Sequence, residues 1–199
     1  PDPVFRDGEF DGKPPQHRAH QENFASRPGE GVIPLKDASM DALRNMRKHY
    51  CAKISTVDEQ VGRILDALDE NGILGNSVVA FCSDHGDLLG DHRLPYKWLM
   101  YEPVTHVPFI LWDARNGRQG TCVDSLVSLM DLGPTLLDAA GVSVPSHLEG
   151  ASLLPWTRGQ PCLARDFVCT EDNYLTMFRE ARYKMVLYTG ASYGELYDL

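Results

Sequence analysis

The sequence predicts an α/β fold in which a mostly parallel sheet flanked by helices is followed by a small antiparallel subdomain. Three observations carry this. Two apolar runs, at 77–82 and 107–112, alternate with helical patterns, as strand, helix and strand do in a parallel sheet. A long amphipathic repeat precedes the first run. From Phe167 onward the pattern breaks into short strand-like pieces with brief polar links, as an antiparallel meander requires.

Residues 1–36 are rich in proline, glycine and charge and read as an extended surface segment. From Ser39, apolar positions from Met40 to Leu68 recur mostly at intervals of three and four, which predicts one long helix. Asp37 or Ser39 can cap its start, and Asn71-Gly72 supplies a left-handed stop. The β-branched and aromatic run Ser77–Cys82, bounded by Gly75 and Gly86, reads as a buried strand, and Val107–Trp112 as a second one with Pro108 near its start. A third apolar stretch, Ser125–Met130, leads into a helix from about Asp131 to Ala140, ended by Gly141. The meander comprises Phe167–Thr170, Tyr174–Phe178 and Tyr183–Tyr188. The organisation expected is therefore 1–36 as surface segment, 37–150 as part of the α/β domain, and 151–199 as the antiparallel subdomain.

With 199 residues, 43% of them hydrophobic, the chain can form one substantial core. A balance of 19 basic against 28 acidic residues, net −9, argues against a nucleic-acid or anionic-membrane surface. No apolar run approaches the roughly 18 residues that span a bilayer, and residues 1–30 have no signal-peptide hydrophobic region. The five cysteines are odd in number, widely spaced and without a C-x-x-C pair, which excludes a zinc ribbon or disulfide framework. Cys51 and Cys82 fall in apolar patterns as buried thiols, which leans toward a reducing, cytoplasmic compartment.

The chemistry concentrates directly after the first strand. Asp84, Asp87 and Asp91, with His85 and His92, place three carboxylates and two imidazoles within nine positions. In open α/β sheets ligands bind at that edge. Asp84 and His85, adjacent at a strand end, can face one divalent ion, and an imidazole suits Mn²⁺ or Zn²⁺ better than Ca²⁺. Such a site needs at least two further ligands from elsewhere. Lys97 adds a cation able to hold an anionic substrate oxygen or leaving group, and His92 is a further catalytic candidate. The plainer alternative is a solvated acidic loop bent by Gly86 and Gly90, with Lys97 at the surface. His106 can point into the same cleft or serve structurally. Tyr96 and Trp98 are best read as packing on the core, and Arg179 and Arg182 as solvated residues at strand ends.

These residues resemble the C-terminal portion of a type I sulfatase, in the alkaline phosphatase superfamily. The resemblance covers most of residues 46–199. Its most specific stretch is Val78–Lys97: an apolar strand, then Ser83-Asp84-His85-Gly86, then Leu89-Gly90-Asp91-His92 and a lysine. Ile54, Ser55 and Asp58 match the family's Y-x-x-x-I-S-x-x-D helix. Val107-Pro108, Asp131–Leu137 and Gly194–Leu199 match later landmarks. The resemblance implies an alkaline-phosphatase-like sheet, Asp84 and His85 as ligands of a divalent ion (usually Ca²⁺, with Mn²⁺, Mg²⁺ or Zn²⁺ as alternatives), and Lys97 in contact with the sulfate ester. It also implies a formylglycine nucleophile made from the Cys or Ser of a C/S-x-P-x-R turn. No such turn occurs in these 199 residues. None of the cysteines has proline two residues on, and Ser143–His147 and Ser26–Glu30 lack the arginine.

The expectation is a fragment, inactive by itself, of an enzyme that cleaves a small-molecule or carbohydrate sulfate monoester together with the rest of the sulfatase chain. A phosphodiesterase or phosphonate monoester hydrolase of the same superfamily is the first alternative. A noncatalytic metal- or partner-binding module is the second.

Overall fold

The computed structural model describes residues 1–25, 34–116, 120–162 and 165–199. The first helix, α1, spans Pro15–Ala25, and α2 spans Met40–Glu70. The Ser39 hydroxyl accepts the Ala42 amide at 3.2 Å and caps α2, a contact worth about 1 kcal/mol in such positions. At the far end the Asn71 side chain donates to the Ala67 carbonyl at 2.7 Å, and Gly72 takes φ 67, where a side chain would be strained. The helix and both its ends follow the apolar spacing. Its inner face does not close over its whole length: Leu43 is buried, whereas Ile54, Val57 and Ile64 are exposed.

Strand β1 (Val78–Cys82) and strand β2 (Phe109–Asp113) pair antiparallel, with Val78 opposite Asp113 and Cys82 opposite Phe109. This departs from the parallel arrangement expected of these two strands. A parallel pair needs a crossover of a dozen or more residues, usually a helix. The chain between Cys82 and Phe109 is long enough for a crossover but supplies no helix to cover the sheet, holding only loop, one short 3₁₀ turn and the four-residue helix α3 (Glu102–Thr105). It therefore returns along the strand it left.

Helix α4 (Leu132–Ala139) follows a capping box in which Ser128 and Asp131 satisfy each other's backbone. The buried Asp131 carboxylate also accepts the Ala151 amide at 2.8 Å and pairs with Arg165. This anchors the segment leading to α5 (Leu154–Thr157). The chain then forms the three expected strands of the meander, β3 (Phe167–Glu171), β4 (Leu175–Glu180) and β5 (Tyr183–Tyr188), and adds a fourth, β6 (Gly194–Asp198), that the sequence reading did not assign; the order is β3-β4-β5-β6, all antiparallel. Leu175 and Met177 of β4 and Val186 and Tyr188 of β5 share one core cluster with Leu88, Leu94, Leu99 and Val104. The loop that follows β1 is thus packed on the C-terminal sheet.

The segment 1–36 is more than an extended surface strip. It contains α1, opened by Pro15 as N-terminal helical prolines commonly do, and it buries Phe10, His17 and Leu35. His17, 2% exposed, lies 2.9 Å from the Tyr101 hydroxyl and 3.2 Å from Glu195. Its partners stand 84 and 178 residues away, so local polarity alone gives no sign of burial. Cys51 is also exposed rather than buried, because its stretch of α2 is uncovered, and Cys82 is half-buried. No described helix is long and apolar enough to cross a membrane.

Glu195 ties these parts together. Its carboxylate accepts from Lys13 at 2.9 Å, from Tyr188 at 2.5 Å and from Tyr197, besides its contact with His17. Burial pushes its carboxyl up, but these four donors outweigh burial and hold it well below its ordinary 4.5. A depressed pKa contributes stability that is complete above 4.5 and lost as the pH falls below it. Glu195→Gln is therefore expected to melt on the order of 5 °C lower at pH 7. That deficit should shrink below pH 4.5 in a series of calorimetric scans. A deficit independent of pH would contradict the charged hub.

Candidate active site

The turn after β1 is built by backbone constraints. The Ser83 hydroxyl donates to the His85 carbonyl at 2.8 Å, and the Asp84 carboxylate accepts the His85 amide at 3.0 Å. Gly86 donates its amide to the Val104 carbonyl at 2.9 Å. A Cβ at Gly86 would lie 1.8 Å from the Pro103 carbonyl oxygen, so only glycine lets the turn sit this close to α3.

The turn also fixes the imidazole. His85 Nδ1 lies 2.8 Å from the Gly86 carbonyl. A carbonyl only accepts, so Nδ1 carries a proton, and in the neutral ring Nε2 holds the lone pair. That Nε2 stands 3.5 Å from Asp84 Oδ2, and the Asp84 side chain is 85% exposed. The His85 amide, with a smaller contribution from the Lys97 charge, holds the Asp84 carboxyl below the usual carboxylate range. An anionic oxygen and a lone-pair nitrogen therefore face the same space, with the second ring nitrogen anchored on a carbonyl as in metal-binding histidines. The pair fits one side of a divalent-ion shell. Among the described residues no cluster of three or more His, Cys, Asp or Glu completes it.

Lys97 reaches the same place by an unusual path. Leu88, Leu94 and Leu99 are buried, and between them Leu89, His92, Arg93, Tyr96 and Trp98 all have positive φ. Non-glycine residues in that region cost on the order of 1–3 kcal/mol each and persist where the surroundings over-determine them. The result is a cleft of about 770 Å³ whose walls include Asp84, His85, Lys97, Trp98, His106 and Arg179. The Lys97 ammonium lies 5.7 Å from the Trp98 ring centre.

The structure thus brings Asp84, His85 and Lys97 together, and it does not bring His92 to them. The His92 ring is held by Glu9 at 2.8 Å and stacks on Tyr101 at 4.0 Å, outside the cleft lining. His106 does line the cleft, with its side chain exposed, 4.0 Å from Glu102. Trp98 and Tyr96 are exposed rather than core, and Trp98 forms cleft wall. Arg182 pairs with Asp198 at the surface. Arg179 instead lines the cleft, 3.9 Å from Glu102. Glu102 is the residue sequence reasoning missed. Burial pushes its carboxyl up, and Lys184 at 2.9 Å with Arg179 and His106 more than reverses this. A lone glutamate before a proline carries no signal of such a role. Ser143–His147 lies after α4, apart from the cleft lining, and Ser26–Glu30 lies outside the described residues.

The cleft presents a carboxylate, an imidazole and a lysine at a strand end, groups whose chemistry suits an anionic oxygen. A sequence profile of the sulfatase family matches residues 6–142, and one for the N-sulphoglucosamine sulphohydrolase C-terminal domain matches residues 90–199. The chain belongs to the sulfatase family. It is 38% identical over 148 residues to an arylsulfatase of Clostridium perfringens, covering 73% of this chain and 30% of that protein. It is 41% identical over 113 residues to arylsulfatase K of Xenopus laevis, covering 57% of this chain and 21% of that protein. The chain therefore spans less than a third of these relatives' length.

Among solved structures, a phosphonate monoester hydrolase from Silicibacter pomeroyi superposes with a TM-score of 0.81 at 23% identity, over all of this chain and 44% of its own. That likeness shows the fold. A 2-O GAG sulfatase superposes with a TM-score of 0.76 at 29% identity, over all of this chain and 45% of its own. The alkaline-phosphatase-like α/β fold with its C-terminal antiparallel subdomain is thereby established.

The close approach at Gly86 makes a direct test. Gly86→Ala is expected to destabilise the protein by about 1–3 kcal/mol or more, the usual range for overpacking, because backbone rather than a flexible side chain blocks the new methyl. A thermal melt unchanged from wild type would contradict the geometry of the turn.

Proposed function

We propose that the protein carrying this chain hydrolyses sulfate monoesters, with Asp84 and His85 on one side of a divalent cation and Lys97 against the sulfate. The observation that carries the proposal is the convergence of these three groups on one cleft, on a strand end, in a chain of the sulfatase family. When bound, the cation supplies Lewis-acid stabilisation of charge developing on the ester oxygens. Asp84 contributes a carboxylate kept ionised by the His85 amide, and His85 contributes Nε2 in a tautomer fixed by the Gly86 carbonyl. Lys97 contributes a fixed positive charge toward the same oxyanion. Calcium is the ion that the family resemblance implies, and the imidazole donor also suits Mn²⁺ or Zn²⁺.

The formylglycine nucleophile implied by the resemblance has no counterpart in this sequence, and turnover by these 199 residues alone is not proposed. A carbohydrate sulfate is the favoured substrate class. It is supported by the 2-O GAG sulfatase likeness and by the match to the sulphohydrolase C-terminal domain. A phosphonate or phosphate ester is the second reading, supported by the likeness to a phosphonate monoester hydrolase of Agrobacterium radiobacter, 28% identical with a TM-score of 0.75 over 92% of this chain and 43% of its own.

In the full-length protein, Lys97→Ala is expected to lower kcat/KM for 4-nitrophenyl sulfate by about 10²–10³, as loss of one oxyanion-stabilising group does elsewhere. A rate on 4-nitrophenyl phenylphosphonate above that on the sulfate would reverse the order of the two readings. Asp84→Ala should weaken divalent-ion affinity by at least the roughly 10–100-fold that loss of outer-shell partners costs. Direct metal titration reads this, and unchanged affinity would remove Asp84 from the ion's shell.

A further inference from the structure

The loop that carries Lys97 is held from outside itself. Arg47 of α2 donates to the Leu89 carbonyl at 2.9 Å and to the Asp91 carboxylate at 2.6 Å. Arg93 donates to the carbonyls of Leu35 and Ala38 at 3.2 and 2.9 Å. The N-terminal segment grips the same turn. The Val4 amide donates to Asp91 at 2.7 Å, and the His92 amide donates to the Val4 carbonyl at 2.8 Å. Glu9 accepts from His92 Nδ1 at 2.8 Å, and the His92 ring stacks on Tyr101. Tyr101 directly precedes α3, whose Val104 carbonyl receives the Gly86 amide. One chain of contacts therefore runs from Glu9 through His92 and Tyr101 to α3 and the Asp84-His85 turn, and it holds the strained loop ending at Lys97 on the way.

We infer that Glu9 and His92 are positioning residues, a brace from the N-terminal segment that fixes Lys97 relative to Asp84 and His85. The inference rests on the hydrolase reading above for its catalytic consequence. Its structural content does not need that reading. The five positive-φ residues between Leu89 and Trp98 have little reason to stay where they are unless the surroundings hold them. The charged group of the cleft that this stretch carries is Lys97, beside the Trp98 wall.

The test uses the full-length protein. Glu9→Ala removes the acceptor, Glu9→Gln keeps one oxygen for the His92 N–H, and His92→Phe keeps the stack on Tyr101 without the Glu9 contact. Glu9→Ala and His92→Phe are expected to lower kcat on 4-nitrophenyl sulfate about tenfold or more, with Glu9→Gln recovering much of it. In a Lys97→Ala background the same substitutions should cost less than twofold, because there is no ammonium left to misplace. An equal loss in both backgrounds, or no loss in either, overturns the brace.

Hydrogen exchange of the amides of residues 88–96 gives the readout that does not depend on turnover. Faster exchange there in Glu9→Ala or His92→Phe, with β4 and β5 unchanged, supports the brace, and unchanged exchange overturns it. A wild-type protein that cleaves neither aryl sulfate nor aryl phosphonate would overturn the hydrolase reading instead, and the exchange data would still decide the brace. Should Glu9→Ala not fold, His92→Phe carries both measurements.

Discussion

The cleft depends on the burial of Leu88, Leu94 and Leu99 against Leu175, Met177 and Val186 of the C-terminal sheet. Each fully buried leucine contributes about 1.5–3 kcal/mol. That gain is what allows the intervening residues to hold backbone conformations they would not choose alone. Without the sheet as an opposing surface, the acidic loop after β1 would have no reason to curl back, and Lys97 would have no fixed relation to Asp84. The antiparallel meander is therefore part of the site's construction, and it supplies cleft wall through Arg179 as well.

Polar contacts refine what the leucines set. Two buried hubs recur: Glu195, which gathers Lys13, His17, Tyr188 and Tyr197, and Asp131, which gathers Ser128, Ala151 and Arg165. Each joins segments distant in sequence. No buried side-chain nitrogen or oxygen among the described residues lacks a partner, which matters because an unpaired buried polar group costs about 1–3 kcal/mol. The first hub draws α1 onto β5 and β6, and so places the N-terminal segment where Val4 and Glu9 can reach the loop after β1. On the cleft side, Glu102 plays a smaller version of the same part among Lys184, Arg179 and His106.

Much of this was legible in the chain. The extent of α2 follows from apolar spacing and from Ser39 and Asn71-Gly72, since capping is a contest between neighbours in sequence. The meander follows from period-two patterning between short polar turns. Asp84, His85 and Lys97 were recognisable as one group because an acidic cluster at a strand end, followed by a lysine, belongs to a single loop. What could not be read were the relations that pass through space. The β1–β2 direction depends on how the intervening chain returns. The burial of His17 on α1 depends on Tyr101, Tyr188 and Glu195. The removal of His92 from the site depends on Glu9 and Tyr101.

By itself, then, the sequence determined the family, the local elements and the identity of the three groups on the cleft. Local propensity and motif spacing act over a few residues and are written directly in the order of side chains. Only the tertiary structure decided which of two neighbouring histidines faces the cleft. His85 is turned toward Asp84 by one hydrogen bond to the next residue's carbonyl, whereas His92 is claimed by a carboxylate 83 residues away. Whether a histidine's strongest partner is local or distant is settled by packing, and packing is where the sequence pattern is silent.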